Sequence, residues 1–136
     1  MSSLLIEENR VAVQLPTEVP VKTRQLSVLI DDVHTDIVLS SFQNLIFVSI
    51  SQTNKFSTWI KACKQMDGFA AEEACFEVVT LLGSNQDTLL TIYARQLIEN
   101  ISLSSNKDLL LSIALSNKSK ETFKAILTLI FGHKVW

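Results

Sequence analysis

A chain of 136 residues with 47 % apolar and 19 % charged residues amounts to about one domain, large enough to build a core unaided. Its net charge of −2 and pI near 5.6 leave no basic stripe for neutralising phosphates, so no nucleic-acid partner is expected. The apolar runs fall short of the ~18 residues a bilayer crossing needs, and MSSLLIEENR carries neither a basic leader region nor a long apolar one, so no membrane partner and a cytoplasmic or nuclear location are expected.

Residues 1 to 20 mix Glu7, Glu8 and Asn9 with short apolar pieces, and Pro16 and Pro20 break any longer regular element. They read as a flexible arm ahead of a single domain over 21–136. From about Thr23, Leu26, Val28 and Ile30 alternate with Gln25, Ser27 and Leu29, the period of a strand, and Asp31 with Asp32 marks a turn. A second strand, Asp36 to Phe42, is joined by Gln43 and Asn44 to a third, Leu45 to Ser51. So short a link predicts an antiparallel hairpin. In the third strand Leu45, Phe47 and Ser49 point one way, while Ile46, Val48 and Ile50 point the other. Both faces read as buried.

Thr53 to Lys55 form another turn before a fourth strand, Phe56 to Ala62. Asp67 and Gly68 break the alternation, which makes Lys64 to Glu73 a mobile loop; a fifth strand, Cys75 to Leu82, stops at Gly83. Ser84 with Asp87, or Asn85 alone, caps a helix of roughly five turns. Its apolar stripe is Leu90, Ala94, Leu97, Ile98 and Ile101. A sixth strand, Asp108 to Leu115, leads to a last helix capped by Asn117 or Ser119 and ended by Gly132, with Phe123, Ile126, Leu127, Ile130 and Phe131 on one face.

The fold class is therefore α+β: a six-stranded, mainly antiparallel sheet with two helices packed on one face, in the order β-β-β-β-β-α-β-α. Leu45 to Ser51 and Leu109 to Leu111 want cover on both faces, and two helices cover one. The arm has few apolar residues, so a second subunit packing sheet on sheet is expected on the other. The mean hydropathy of +0.26, high for a chain with so few aromatic residues, also points to a partner.

Convergent chemistry is scarce. Cys63 and Cys75 read as free thiols, and His34 and His133 lack neighbours at metal-ligand spacing. Cys63 with either histidine has no supporting motif, and Glu72 with Glu73 reads as a solvated pair. No catalytic, cofactor-binding or metal-binding residue is assigned, and no cofactor is expected. Trp59 is either a packed strand residue or an interface anchor. Val135 and Trp136 are expected to turn back after Gly132, closing the core or touching a partner.

The segment LLGSNQDTLLTIYARQLIENIS, followed by DLLLSIALSNKSKETFKAILTLIFGHKVW, closely resembles the carboxy-terminal half of the proteasome assembly chaperone 3 family. Leu82 with Gly83, the run Tyr93, Ala94 and Arg95, Lys118 with Ser119, and the terminal Val-Trp all belong to that match. VHTDIVLSSFQNLIFVSISQTNKFSTWI extends it more weakly, the stretch from Ala62 to Ala74 looks longer here, and residues 1 to 20 show no match.

The resemblance implies a non-enzymatic protein that pairs through its sheet with a proteasome assembly chaperone 4-like subunit, or with itself. It further implies that the dimer binds 20S proteasome alpha subunits, the fifth in particular, orders the alpha ring, and leaves when beta subunits arrive. Phe47, Ser49, Trp59, Val135 and Trp136 are the candidate interface residues. A dimeric trafficking or signalling adaptor of the longin or roadblock kind is the alternative, disfavoured by the five leading strands.

Overall fold

The computed structural model describes residues 21–52, 58–65, 75–83, 88–116 and 119–136. The amino-terminal arm, the turn at Thr53 to Lys55, most of the Lys64 to Glu73 loop and the caps read at Ser84 to Asp87 and at Asn117 lie outside them.

Strands β1, Lys22–Ile30, and β2, Val33–Ser41, form a hairpin in which Ile30 faces Val33. Asp31 and Asp32 are thus a two-residue loop, and both take positive φ, 52° and 62°. That is the type I′ geometry whose twist matches the flanking strands, and Asp is one of the few residues that tolerates it. Strand β2 begins earlier than Asp36 because this tight turn pairs Val33 and His34 at once with Ile30 and Leu29. The turn is also pinned from outside: Thr122 Oγ1 donates to Asp31 Oδ2 at 3.2 Å.

Strand β3, Leu45–Ser51, runs antiparallel to β2, and β4, Thr58–Gln65, runs antiparallel to β5, Cys75–Leu82. Helix α1, Thr88–Ser102, strand β6, Asp108–Ala114, and helix α2, Lys120–Gly132, complete the chain. The sheet order is β1-β2-β3-β6-β4-β5. Strand β6 slots between β3 and β4, parallel to the first and antiparallel to the second. One parallel ladder therefore sits inside an otherwise antiparallel sheet. It exists because the β4-β5 hairpin and α1 form a crossover long enough to return the chain in the same direction.

The two helices cover one face. Ile37, Leu39, Ile46, Val48, Leu109 and Leu111 are at most 1 % exposed beneath them. Helix α1 packs on β4, β5 and β6 through Leu90, Tyr93, Ala94, Leu97, Ile98 and Ile101. Helix α2 buries Phe123, Ile126, Leu127 and Ile130, and its Phe123 ring stacks on Tyr93 at 4.1 Å, joining the helices. The described part of α1, Thr88–Ser102, spans 15 residues, about four turns. Ser119 is the N-cap of α2, its Oγ accepting from Thr122 N at 3.3 Å; Gly132 lies within the helix, and His133 is the C-cap.

Among the described residues no helix is long and apolar enough to cross a membrane.

Candidate interaction surface

The strand registers place the site. On the sheet face away from the helices, one row crosses the strands as Gln25, Val38, Ser49, Ser112, Trp59 and Leu82. The adjacent row holds Ser40, Phe47, Leu110, Lys61 and Val79. Val38, Phe47, Trp59 and Leu110 remain half-buried in the isolated chain, while Val79 and Leu82 are 45 % and 66 % exposed. The result is a largely apolar face set around two buried serines, polar toward the β1 edge and apolar and exposed at Val79 and Leu82 on the β5 edge, the kind of surface a protein partner covers.

Phe47 and Trp59 stand on strands separated by β6, about 9.6 Å apart by strand spacing. Their ring centroids are only 5.8 Å apart, with 18° between planes. The rings therefore lean together over β6. Ser112, directly opposite Trp59 in the ladder, is 1 % exposed, and Ser49 beside it is 8 % exposed. Neither Ser112 Oγ nor the buried Ser51 Oγ has a hydrogen-bond partner.

Toward the β1 edge, Asp36 Oδ1 accepts from Ser27 Oγ at 2.6 Å and lies 3.0 Å from His34 Nε2. The Ser27 hydrogen bond, followed by the nearby His34, holds the Asp36 carboxyl below its ordinary value against the opposing effect of desolvation. Ser, His and Asp are the residue types of a hydrolytic triad, yet Ser27 donates to the carboxylate and not to the imidazole. The arrangement orders a surface carboxylate and leaves the hydroxyl without the base that would activate it.

Cys63 Sγ lies 3.8 Å from Glu77 Oε1. Burial first, then the Asp108 and Glu77 charges, pushes its thiol up and disfavours the reactive thiolate. Cys63 and Cys75 are both free. His34 stands three strands away from Cys63, and His133 lies at the end of α2, so the structure brings no histidine to the thiol. No cluster of three or more potential metal ligands occurs among the described residues.

Of the five residues singled out, Phe47, Ser49 and Trp59 gather on the open face. Val135 and Trp136 lie on the helix side instead. Val135 is 4 % exposed within the core, and Trp136 Nε1 donates to Asn100 Oδ1 of α1 at 3.2 Å. His133 N donates to Ile130 O at 3.0 Å and turns the tail back. Ser112, Leu110 and Val38 join the face without having been singled out; the two-sided apolar character of DLLLSIAL was the available signal, but its place between β3 and β4 was not.

These features define a class: a two-layer α+β protein whose sheet is covered on one face and presents an aromatic, largely apolar surface on the other. Within that class, the chain belongs to the proteasome assembly chaperone 3 family, whose model matches residues 48–133. A relative from Nematostella vectensis, proteasome assembly chaperone 3, is 30 % identical over 112 residues, spanning 76 % of this chain and 82 % of the relative. The fold is similar to that of a chain from the crystal structure of a novel chaperone complex for yeast 20S proteasome assembly, with a TM-score of 0.60 at 15 % identity over 82 % of this chain and 97 % of that one.

Proposed function

We propose that this protein is a non-enzymatic chaperone of 20S proteasome assembly that works as a dimer, its open sheet face packed against the sheet of a proteasome assembly chaperone 4-like subunit. The observation that carries the reading is the stacked Phe47 and Trp59 pair at the centre of an apolar sheet face, in a chain of this family. Contiguous apolar surface of this kind marks a binding site, and sheet-on-sheet packing is the arrangement that buries it.

The dimer binds alpha subunits, the fifth in particular, in the cytoplasm or nucleus, and promotes correct formation of the alpha ring. Its work is binding without turnover. Covering a subunit surface that would otherwise pair wrongly raises specificity, and a later subunit competing for overlapping surface displaces the chaperone by mass action. No nucleotide or metal is needed for either step.

The test is native mass spectrometry of the tagged chain recovered from its own cells. Recovery with a second small sheet protein and alpha subunits, but without mature beta subunits, supports the reading. Recovery as a homodimer that still carries alpha subunits replaces the partner but keeps the role, whereas recovery alone, or with trafficking or signalling components, overturns it.

A further inference from the structure

We infer that the partner subunit places a neutral hydrogen-bonding side chain against Ser112 and Ser51, so that two hydroxyls without partners in the single chain are satisfied in the complex. The inference rests on the sheet-face pairing proposed above and adds the chemistry that the partner must present.

A buried hydroxyl without a partner is destabilising, and alanine at the same position would avoid that penalty at nearly the same size. The sheet already accepts a methyl group in this neighbourhood, because Ala114 is the residue opposite Ser51 in the β3-β6 ladder. Size therefore does not explain the two serines. Both Oγ atoms are buried and unpartnered, and both side chains belong to the open face; the helix-side positions of the same two strands, Ile46, Val48, Ile50, Leu109, Leu111 and Ile113, are all aliphatic. Among the described residues the unsatisfied side-chain polarity is confined to the open face.

Ser51 pairs with Ala114 and Ser49 with Ser112, which sets Ser51 and Ser112 diagonally across one ladder, roughly 8 Å apart between Cα atoms by strand geometry. A carboxamide, with an acceptor oxygen and a donor nitrogen, suits such a pair, since each serine can donate or accept. A charged side chain does not suit it: around Ser112, the residues Val38, Phe47, Trp59 and Leu110 would strip its water, and Ser51 lies opposite Asp36 in the β2-β3 ladder, where that carboxylate repels an acidic group. The Phe47 and Trp59 rings lean over β6, so they part when the partner's side chain enters, which makes Trp59 a reporter of the event.

The experiment measures the affinity of the chain for the subunit that copurifies with it, together with the melting temperature of the isolated chain, for wild type, Ser112→Ala and Trp59→Ala. Ser112→Ala is expected to raise the melting temperature of the isolated chain and weaken the complex about tenfold. The emission of Trp59 is expected to change when wild type binds. A complex of unchanged affinity in Ser112→Ala overturns this inference and leaves the sheet-face pairing standing. A lower melting temperature in Ser112→Ala also overturns it, because the hydroxyl then has an internal partner. An intact complex in Trp59→Ala removes the sheet-face pairing and this inference together.

Discussion

Trp136 is a large apolar ring at the chain end, and its position is explained by one hydrogen bond and one buried neighbour. The indole N–H reaches Asn100, Val135 fills a core position, and the His133 amide bonded to Ile130 reverses the chain so that both can do so. Deleting Val135 and Trp136 is expected to cost about 3 kcal/mol of unfolding free energy, read by denaturant titration; a loss under ~0.5 kcal/mol would mean the tail packs on nothing that matters. Asp36 makes a second prediction. Its carboxyl is held below the ordinary value chiefly by Ser27, so its contribution to stability is complete above the carboxylate range and is lost as the pH falls through the lowered folded value, below about pH 4. Because the group is exposed, the effect is small and is best read directly. In Ser27→Ala, the Asp36 titration followed by NMR is expected to move up.

At the scale of elements, the hairpin turn and the last helix depend on each other. Asp31 holds a left-handed backbone and also accepts from Thr122, in the first turn of the helix that Ser119 caps. Ser119→Ala is expected to lose about 1 kcal/mol, measured by thermal unfolding, because the amide of Thr122 loses its acceptor. Much of this was legible in the sequence: two adjacent aspartates between alternating runs mark a turn, and a serine ahead of an apolar stripe marks a cap. The length of β4 was not legible. Cys63, Lys64 and Gln65 continue the strand because they pair with Glu77, Phe76 and Cys75 of β5, a fact of register that no local pattern records.

For the whole molecule, the decisive event is the insertion of β6 between β3 and β4. It completes the sheet, closes the helix-side core, and carries Ser112 and Leu110 to the middle of the open face. Leu111, 1 % exposed under the helices, therefore bears on global stability. Leu111→Ala is expected to cost about 3 kcal/mol, whereas Leu29→Ala, at a site 71 % exposed, should stay within ~0.5 kcal/mol. Similar losses for the two in denaturant unfolding would contradict this placement of the core. The open face behaves differently: Phe47 and Trp59 are half-buried in the single chain, so their contribution rises when a partner covers them.

The sequence by itself determined the strand and helix periods, the two faces of Leu45 to Ser51, the Asp31-Asp32 turn and the family, and narrowed the last helix's cap to Asn117 or Ser119, because each is written in neighbouring residues or in a colinear pattern. Only the tertiary structure decided the sheet order and with it the site. Phe47 and Trp59 stack because a strand some fifty residues further along the chain comes between theirs, while Val135 and Trp136 fall on the opposite layer because the tail turns back onto α1. Strand neighbours far apart in the chain are selected by which arrangement buries the most apolar surface with every ladder hydrogen bond made, and that balance is a property of the assembled sheet rather than of any segment within it.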